Sequence, residues 1–146
     1  VYEKDEGSMP WTDSCVEFFL SPDPASPDYF NLEMNCIGHG LLAKGPDRHS
    51  RTGFPPEALA AIRRHSTLGC KSLSSADGEY EWTLTLAVPL SLYGIEKGVA
   101  SGHKLRGNFY KCGDEMAVAH LLSLNPIGTP TPDFHCPEYF GTIEFE

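Results

Sequence analysis

The sequence predicts an all-β fold, a β-sandwich of jelly-roll type with one short helix in a connection, and three observations carry that prediction. Apolar residues alternate with a period of two in several short segments. The 14 glycines and 12 prolines fall between those segments rather than in one block. Only one segment has the marks of a helix.

The clearest strand covers residues 80–88, where Tyr80, Trp82, Leu84, Leu86 and Val88 alternate with Glu81, Thr83, Thr85 and Ala87. Trp82 is expected in the core on the apolar face of that strand. Residues 14–20 set Val16, Phe18 and Leu20 against Cys15, Glu17 and Phe19. Residues 29–37 set Phe30, Leu32, Met34 and Cys36 against Tyr29, Asn31, Glu33 and Asn35. A turn-rich loop, residues 21–28, joins these two segments. It is long enough for an antiparallel pair and too short for a crossover helix, so they are predicted to be neighbours. Further strands are expected at 39–43, 104–112, near 120–124 and at 141–145, about seven in all. The helix is predicted over 55–64, with two prolines at its start, Glu57 in its first turn and Arg63 and Arg64 in its last. Residues 45–53 and 71–78 read as surface loops.

With 146 residues, 40% of them hydrophobic, the chain has room for a single core. Eleven Lys and Arg against 20 Asp and Glu leave a formal charge of −9, the wrong sign for neutralising nucleic acid phosphates or an anionic membrane surface. The longest apolar stretch, 83–92, is interrupted by Thr85, Pro89 and Ser91 and falls short of the roughly 18 residues of a membrane-spanning helix, so no membrane insertion is expected. Five cysteines lie along the chain without a C-x-x-C pair, which argues against a zinc knuckle or a dithiol redox motif. Cys15 and Cys36 fall inside strand patterns and read as small buried hydrophobes.

Phosphate loops, nucleophile elbows and H-E-x-x-H helices are absent from the sequence. What remains is a polar patch. Alternation puts Glu17, Glu33 and Asn35 on the polar faces of two strands expected to pair. Such a patch suits hydrogen bonding to sugar hydroxyls, or acid and nucleophile chemistry on a glycosidic bond by Glu17 and Glu33, or it is a plain solvated sheet face. Trp11, on a short segment before the first strand, offers a ring on which the C–H face of a pyranose stacks. It equally suits a core position or a protein interface, the latter making the sandwich a packing module. His135, in Asp133-Phe-His-Cys-Pro137, has a carboxylate and a thiol within two residues.

Five ordered segments resemble carbohydrate-binding module family 9, in particular its family-9-like bacterial branch, a member of the wider group of DOMON-like sandwiches. They are Trp11-Thr-Asp-Ser-Cys-Val-Glu-Phe-Phe19, Tyr29-Phe-Asn-Leu-Glu-Met-Asn-Cys-Ile-Gly38, Asn108-Phe-Tyr-Lys-Cys-Gly-Asp114, Ser123-Leu-Asn-Pro-Ile127 and Asp133-Phe-His-Cys-Pro-Glu-Tyr-Phe-Gly141. The resemblance implies a jelly-roll sandwich that binds a mono- or oligosaccharide without catalysis, between two aromatic rings around a terminal sugar, in support of glycan breakdown. It implies Trp11 as the first ring, with Glu17 and Asn35 as hydrogen-bonding partners; Asn125 is expected as a further partner. It also implies an extracytoplasmic location. Glu33 stands where such modules can carry arginine. Leu124 stands where the bacterial branch usually has tryptophan, which would leave the second ring to Phe134, His135, Tyr139 or Phe140. Relatives carry one or two strands before the Trp11 segment. Calcium is the ion that the resemblance implies, with oxygens from Asp13 or from residues 23–28.

Overall fold

The computed structural model describes residues 5, 7–74 and 79–146; the predicted loop at 71–78 therefore lies partly outside the described residues. Strands dominate. In chain order they are β1 (Cys15–Ser21), β2 (Tyr29–Asn35), β3 (Gly40–Gly45), β4 (Thr52–Gly53), β5 (Arg63–Ser66), β6 (Leu84–Ala87), β7 (Lys104–Gly113), β8 (His120–Ser123) and β9 (Gly141–Glu144). Single 3-10 turns stand at Pro10–Thr12, Leu90–Tyr93 and Pro137–Tyr139.

The large sheet runs in the order β4-β3-β2-β1-β7-β8, and β9 also pairs with β7. Every pairing is antiparallel, as are those of the small sheet formed by β5 and β6. The predicted pairing of the first two strands is present, with Glu17 opposite Glu33 and Phe18 opposite Leu32. One face of the large sheet, carrying Leu20, Phe30, Leu32, Met34 and Leu42, packs beneath Leu59, Ile62, Leu84 and Leu86. The small sheet and the short helix are thus the second layer of an all-β sandwich. Burying these aliphatic and aromatic side chains stabilises each by about 1.5–3 kcal/mol relative to exposure.

The second face is not solvated. Every residue of β2 is buried, because the alternate side chains also meet a cover. Phe19, Tyr29, Tyr110 and Phe140 form a smaller core there, with Ile127 and Phe134 packed against it. The segment between β8 and β9 closes over one end of this face and leaves the other end to the polar side chains.

Three sequence expectations are corrected. The helix α1 covers only Pro56–Ala60. Arg63 and Arg64 do not end it; they belong to β5, where Arg63 pairs with Ala87 and Arg64 with Leu86. Strand pairing and the burial of Leu59 and Ile62 prevail over a helix too short to sustain itself. Arg64 instead ties the layers together, donating from Nη1 to Asp5 Oδ1 at 2.7 Å and to the Gly38 carbonyl at 2.8 Å, and from Nη2 to the Leu59 carbonyl. The strand expected at 80–88 shrinks to β6; Trp82 lies before it, half-buried and outside the core, and Tyr80 is exposed. The loop expected at 45–53 ends in β4, which pairs with β3.

Candidate functional site

On the second face, a cleft of about 280 Å³ opens over the middle of β1, β2 and β7. Glu17 and Cys112 supply floor from β1 and β7, and Glu33 from β2. Trp11 and Asp114 stand at one side, Arg48 and Arg51 come from the loop before β4, and residues 132–135 form the remaining wall.

Trp11 is held by its own backbone. The 3-10 turn begins with Pro10, whose fixed φ suits a helical first residue, and the Trp11 carbonyl accepts from the Asp114 N–H at 2.9 Å, fastening the turn to the end of β7. The indole remains half-buried at the cleft. Phe134 stacks on Tyr110, with ring centroids 4.2 Å apart and planes at 11°, and the Tyr110 hydroxyl donates to the Phe134 carbonyl. The cleft thus has two aromatic residues in its walls. Leu124, at the position where the resemblance called for tryptophan, is exposed and does not line it.

The two buried carboxylates have different surroundings. Glu33, 3% exposed, accepts from Asn31 Nδ2 at 2.7 Å and from Arg51 Nη1 at 3.1 Å. Burial pushes its carboxyl upward, and Arg51 and Asn31 pull the other way. Glu17, 6% exposed, accepts from the Cys112 thiol at 2.9 Å. Its carboxyl is pushed well above the usual range, first by burial and then by the charge of Glu33 across the strand pair. Arg48 closes the rim by an ion pair with Asp133 at 2.7 Å. That bond joins the loop of 45–53 to the segment that covers the second core.

His135 also lines the cleft. Its Nδ1 pairs with the Tyr29 hydroxyl at 2.6 Å, and its ring packs on Phe19. Burial, reinforced by Arg51 and Arg48, lowers its pKa to about 3, so the ring is neutral at ordinary pH. It serves as a polar wall rather than a charge.

The cleft brings together Trp11, Glu17, Glu33 and His135 and leaves out Asn35 and Asn125. Asn35 is fully buried, and its Oδ1 accepts from the N–H groups of Ile37 and His39, shaping the turn between β2 and β3. Asn125 is bound to Asn108 instead, with its N–H and Nδ2 on Asn108 Oδ1 and its carbonyl accepting from Asn108 Nδ2. Both amides build the frame. Arg48, Arg51 and Asp114 belong to the cleft but were not singled out from the sequence, their one signal being charge beside the predicted strands; Asp133, also in the cleft, entered only as the carboxylate next to His135.

The acidic loops do not fit calcium among the described residues. Asp23 Oδ1 accepts from the Ala25 N–H, Asp28 pairs with Lys44 at 3.6 Å, and Asp13 Oδ1 accepts from the Ser14 N–H. Their oxygens serve separate turns and do not converge as six to eight ligands must.

Against known proteins, the model of carbohydrate-binding family 9 matches residues 1–145. The chain belongs to carbohydrate-binding family 9. A crystal structure of a protein assigned as carbohydrate-binding, from Bacteroides uniformis, is similar over 99% of this chain, with a TM-score of 0.89 and 39% identity. This family 9 chain spans 66% of that protein's chain. No curated protein matches. The family assignment and the sandwich agree with the resemblance read from the five motif segments.

Proposed function

We propose that this family 9 domain binds a saccharide without catalysis, holding one terminal sugar in the cleft between Trp11 and Phe134. The observation that carries this reading is the composition of the cleft. Two aromatic residues stand in its walls while Glu17, Glu33, Arg48, Arg51 and His135 converge on the same space. Apolar ring surface for a pyranose face, together with donors and acceptors for its hydroxyls, is the complementarity that a sugar requires. The volume, about 280 Å³, lies at the lower edge of the roughly 300–1,000 Å³ of small-molecule pockets, which suits one ring better than a length of chain. Membership in a carbohydrate-binding family supports the same ligand class; an extracytoplasmic location, where glycans are broken down, is part of the same proposal.

Calorimetric titration of the domain with mono- and oligosaccharides, paired with the Trp11→Ala variant, tests the proposal. Binding that Trp11→Ala abolishes, with the sugar recovered intact, supports it. Undiminished binding by Trp11→Ala would remove the indole from the site. Release of new reducing ends, abolished by Glu17→Gln or Glu33→Gln, would replace binding with glycoside hydrolysis.

A further inference from the structure

Beneath the sugar cleft, Glu17 has two sulfur neighbours that saccharide binding does not use. Cys15 on β1 and Cys112 on β7 are directly opposite each other in the strand register, and Glu17 follows two residues after Cys15 on the same face. The two thiols and one Glu17 carboxylate oxygen all lie within 4.8 Å of one another. All three residues are buried, and both cysteines are free thiols. The Cys112 thiol reaches Glu17 at 2.9 Å. Among the described residues no ion pair reaches Glu17, whereas Glu33 beside it has Arg51.

We propose that Cys15, Cys112 and Glu17 form a binding site for a thiophilic divalent cation of the zinc type. Tetrahedral zinc has bonds of roughly 2.3 Å to sulfur and about 2.0–2.2 Å to a carboxylate oxygen, which places its ligand atoms about 3.5–3.8 Å apart. Side-chain adjustments of about 1 Å bring the three atoms onto one ion. Two sulfur donors select zinc-like metals over calcium or magnesium, whose ligands are oxygens. Each ligand gives up its proton as its bond to the metal forms, and the cation then supplies the positive charge that Glu17 lacks. Cys112 and Glu17 line the cleft and Cys15 lies behind them, so the fourth coordination position faces the cleft and takes water or a ligand oxygen. The β1–β7 pairing fixes both sulfurs on neighbouring strands of a rigid sheet, as a preformed metal site needs.

The test is titration of the reduced chain, with no sugar present, by cobalt(II) and then by zinc. The proposal expects one equivalent of cobalt, a thiolate-to-cobalt charge-transfer absorption, and its loss when zinc displaces the cobalt. Cys15→Ser with Cys112→Ser should abolish the absorption. Glu17→Gln, which keeps both thiols and the sheet, should weaken zinc by more than the roughly 10–100-fold typical of an outer-shell partner. A wild-type chain without the charge-transfer absorption overturns the site, and so does an absorption that survives loss of both cysteines. Isolation of the chain with a Cys15–Cys112 disulfide resistant to thiol reductants would overturn it as well. Neither the probe nor the readout involves a saccharide, so failure here leaves the sugar reading untouched, and failure of sugar binding leaves the metal site untouched.

Discussion

Glu17 and Glu33 face each other across β1 and β2, yet Arg51 reaches only Glu33. Two carboxylates placed directly opposite on adjacent strands repel, and taking both out of water adds to the cost. The sheet accommodates the pair by treating the two groups differently. Glu33 has a guanidinium and an amide at its Oε1; Glu17, its carboxyl raised well above the usual carboxylate range, meets the Cys112 thiol.

This asymmetry makes Arg51 the more sensitive site. Arg51→Met would leave Glu33 buried without its cation, and breaking such a pair costs about 3–5 kcal/mol. Glu33→Gln keeps the shape and the Asn31 contact with no buried charge, so the combined variant should recover most of that loss. Chemical denaturation of the wild type, the two single variants and the double variant measures the coupling. Equal destabilisation in the Arg51 variant and the double variant would show that Arg51 acts through packing alone.

Gly40 protects the floor of the same cleft. A Cβ built there would stand 1.8 Å from the Glu33 carbonyl oxygen and 2.9 Å from Met34 Cα, both of them backbone of β2, which no rotamer change relieves. Gly40→Ala is expected to destabilise at or above the upper end of the 1–3 kcal/mol range typical of overpacking, about 3 kcal/mol. Because the displaced backbone is that of Glu33, sugar affinity should fall in the folded fraction too. Thermal unfolding and calorimetry on the same sample separate the two effects.

The strand pair that forms the floor was legible because each strand carries a continuous apolar face, which a one-residue slip would turn away from the core. Glu17 and Glu33 were legible for the same reason, as charges within otherwise apolar strands. Arg48 and Arg51 were not, since the Gly-, Pro- and Ser-rich stretch around them has no period from which to infer a direction. Arg63 and Arg64 fitted the last turn of a helix on local grounds, and only the distant pairing with Leu86 and Ala87 makes them a strand. Asn35 looked like a ligand group because alternation set it on the same polar face as Glu33 and the family resemblance gave it a hydrogen-bonding role; the glycine three residues later, Gly38 at φ 84°, was the signal that the amide shapes a turn. The sulfur pair escaped notice because Cys15 and Cys112 are 97 residues apart in sequence and meet only through the β1–β7 register.

His135 gives the fold a pH dependence whose sign follows from its surroundings. Burial, then Arg51 and Arg48, lower its pKa to about 3; Asp133 opposes them, His49 adds to them, and Tyr29 pairs with Nδ1. The unfolded chain, with an ordinary histidine near 6.5, therefore binds more protons than the folded chain between about pH 3 and 6.5. The stabilising contribution is fully present above pH 6.5 and is lost as pH falls through that window. His135→Asn, which cannot titrate, should flatten the decline in stability between pH 6.5 and 4, measured by urea denaturation at each pH. An unchanged slope would assign the acid sensitivity to other groups.

The proposed second ring of the sugar site rests on a contrast between Phe134 and Leu124. Phe134 lines the cleft and rests on Tyr110, so its ring is held in place before any ligand arrives and its ordering costs little at binding. Leu124 is exposed outside the cleft, its N–H on the Phe109 carbonyl. Phe134→Ala should therefore cost about 2 kcal/mol of binding, roughly thirty-fold in affinity, as loss of a central aromatic anchor does. Leu124→Ala should leave affinity unchanged, and Leu124→Trp should not improve it, because an indole added there would lie outside the cleft. Calorimetry on these three variants with the sugar bound best by the wild type checks all of this at once. A tighter Leu124→Trp would place the ligand across β8, whereas full affinity in Phe134→Ala would leave Trp11 as the sole platform.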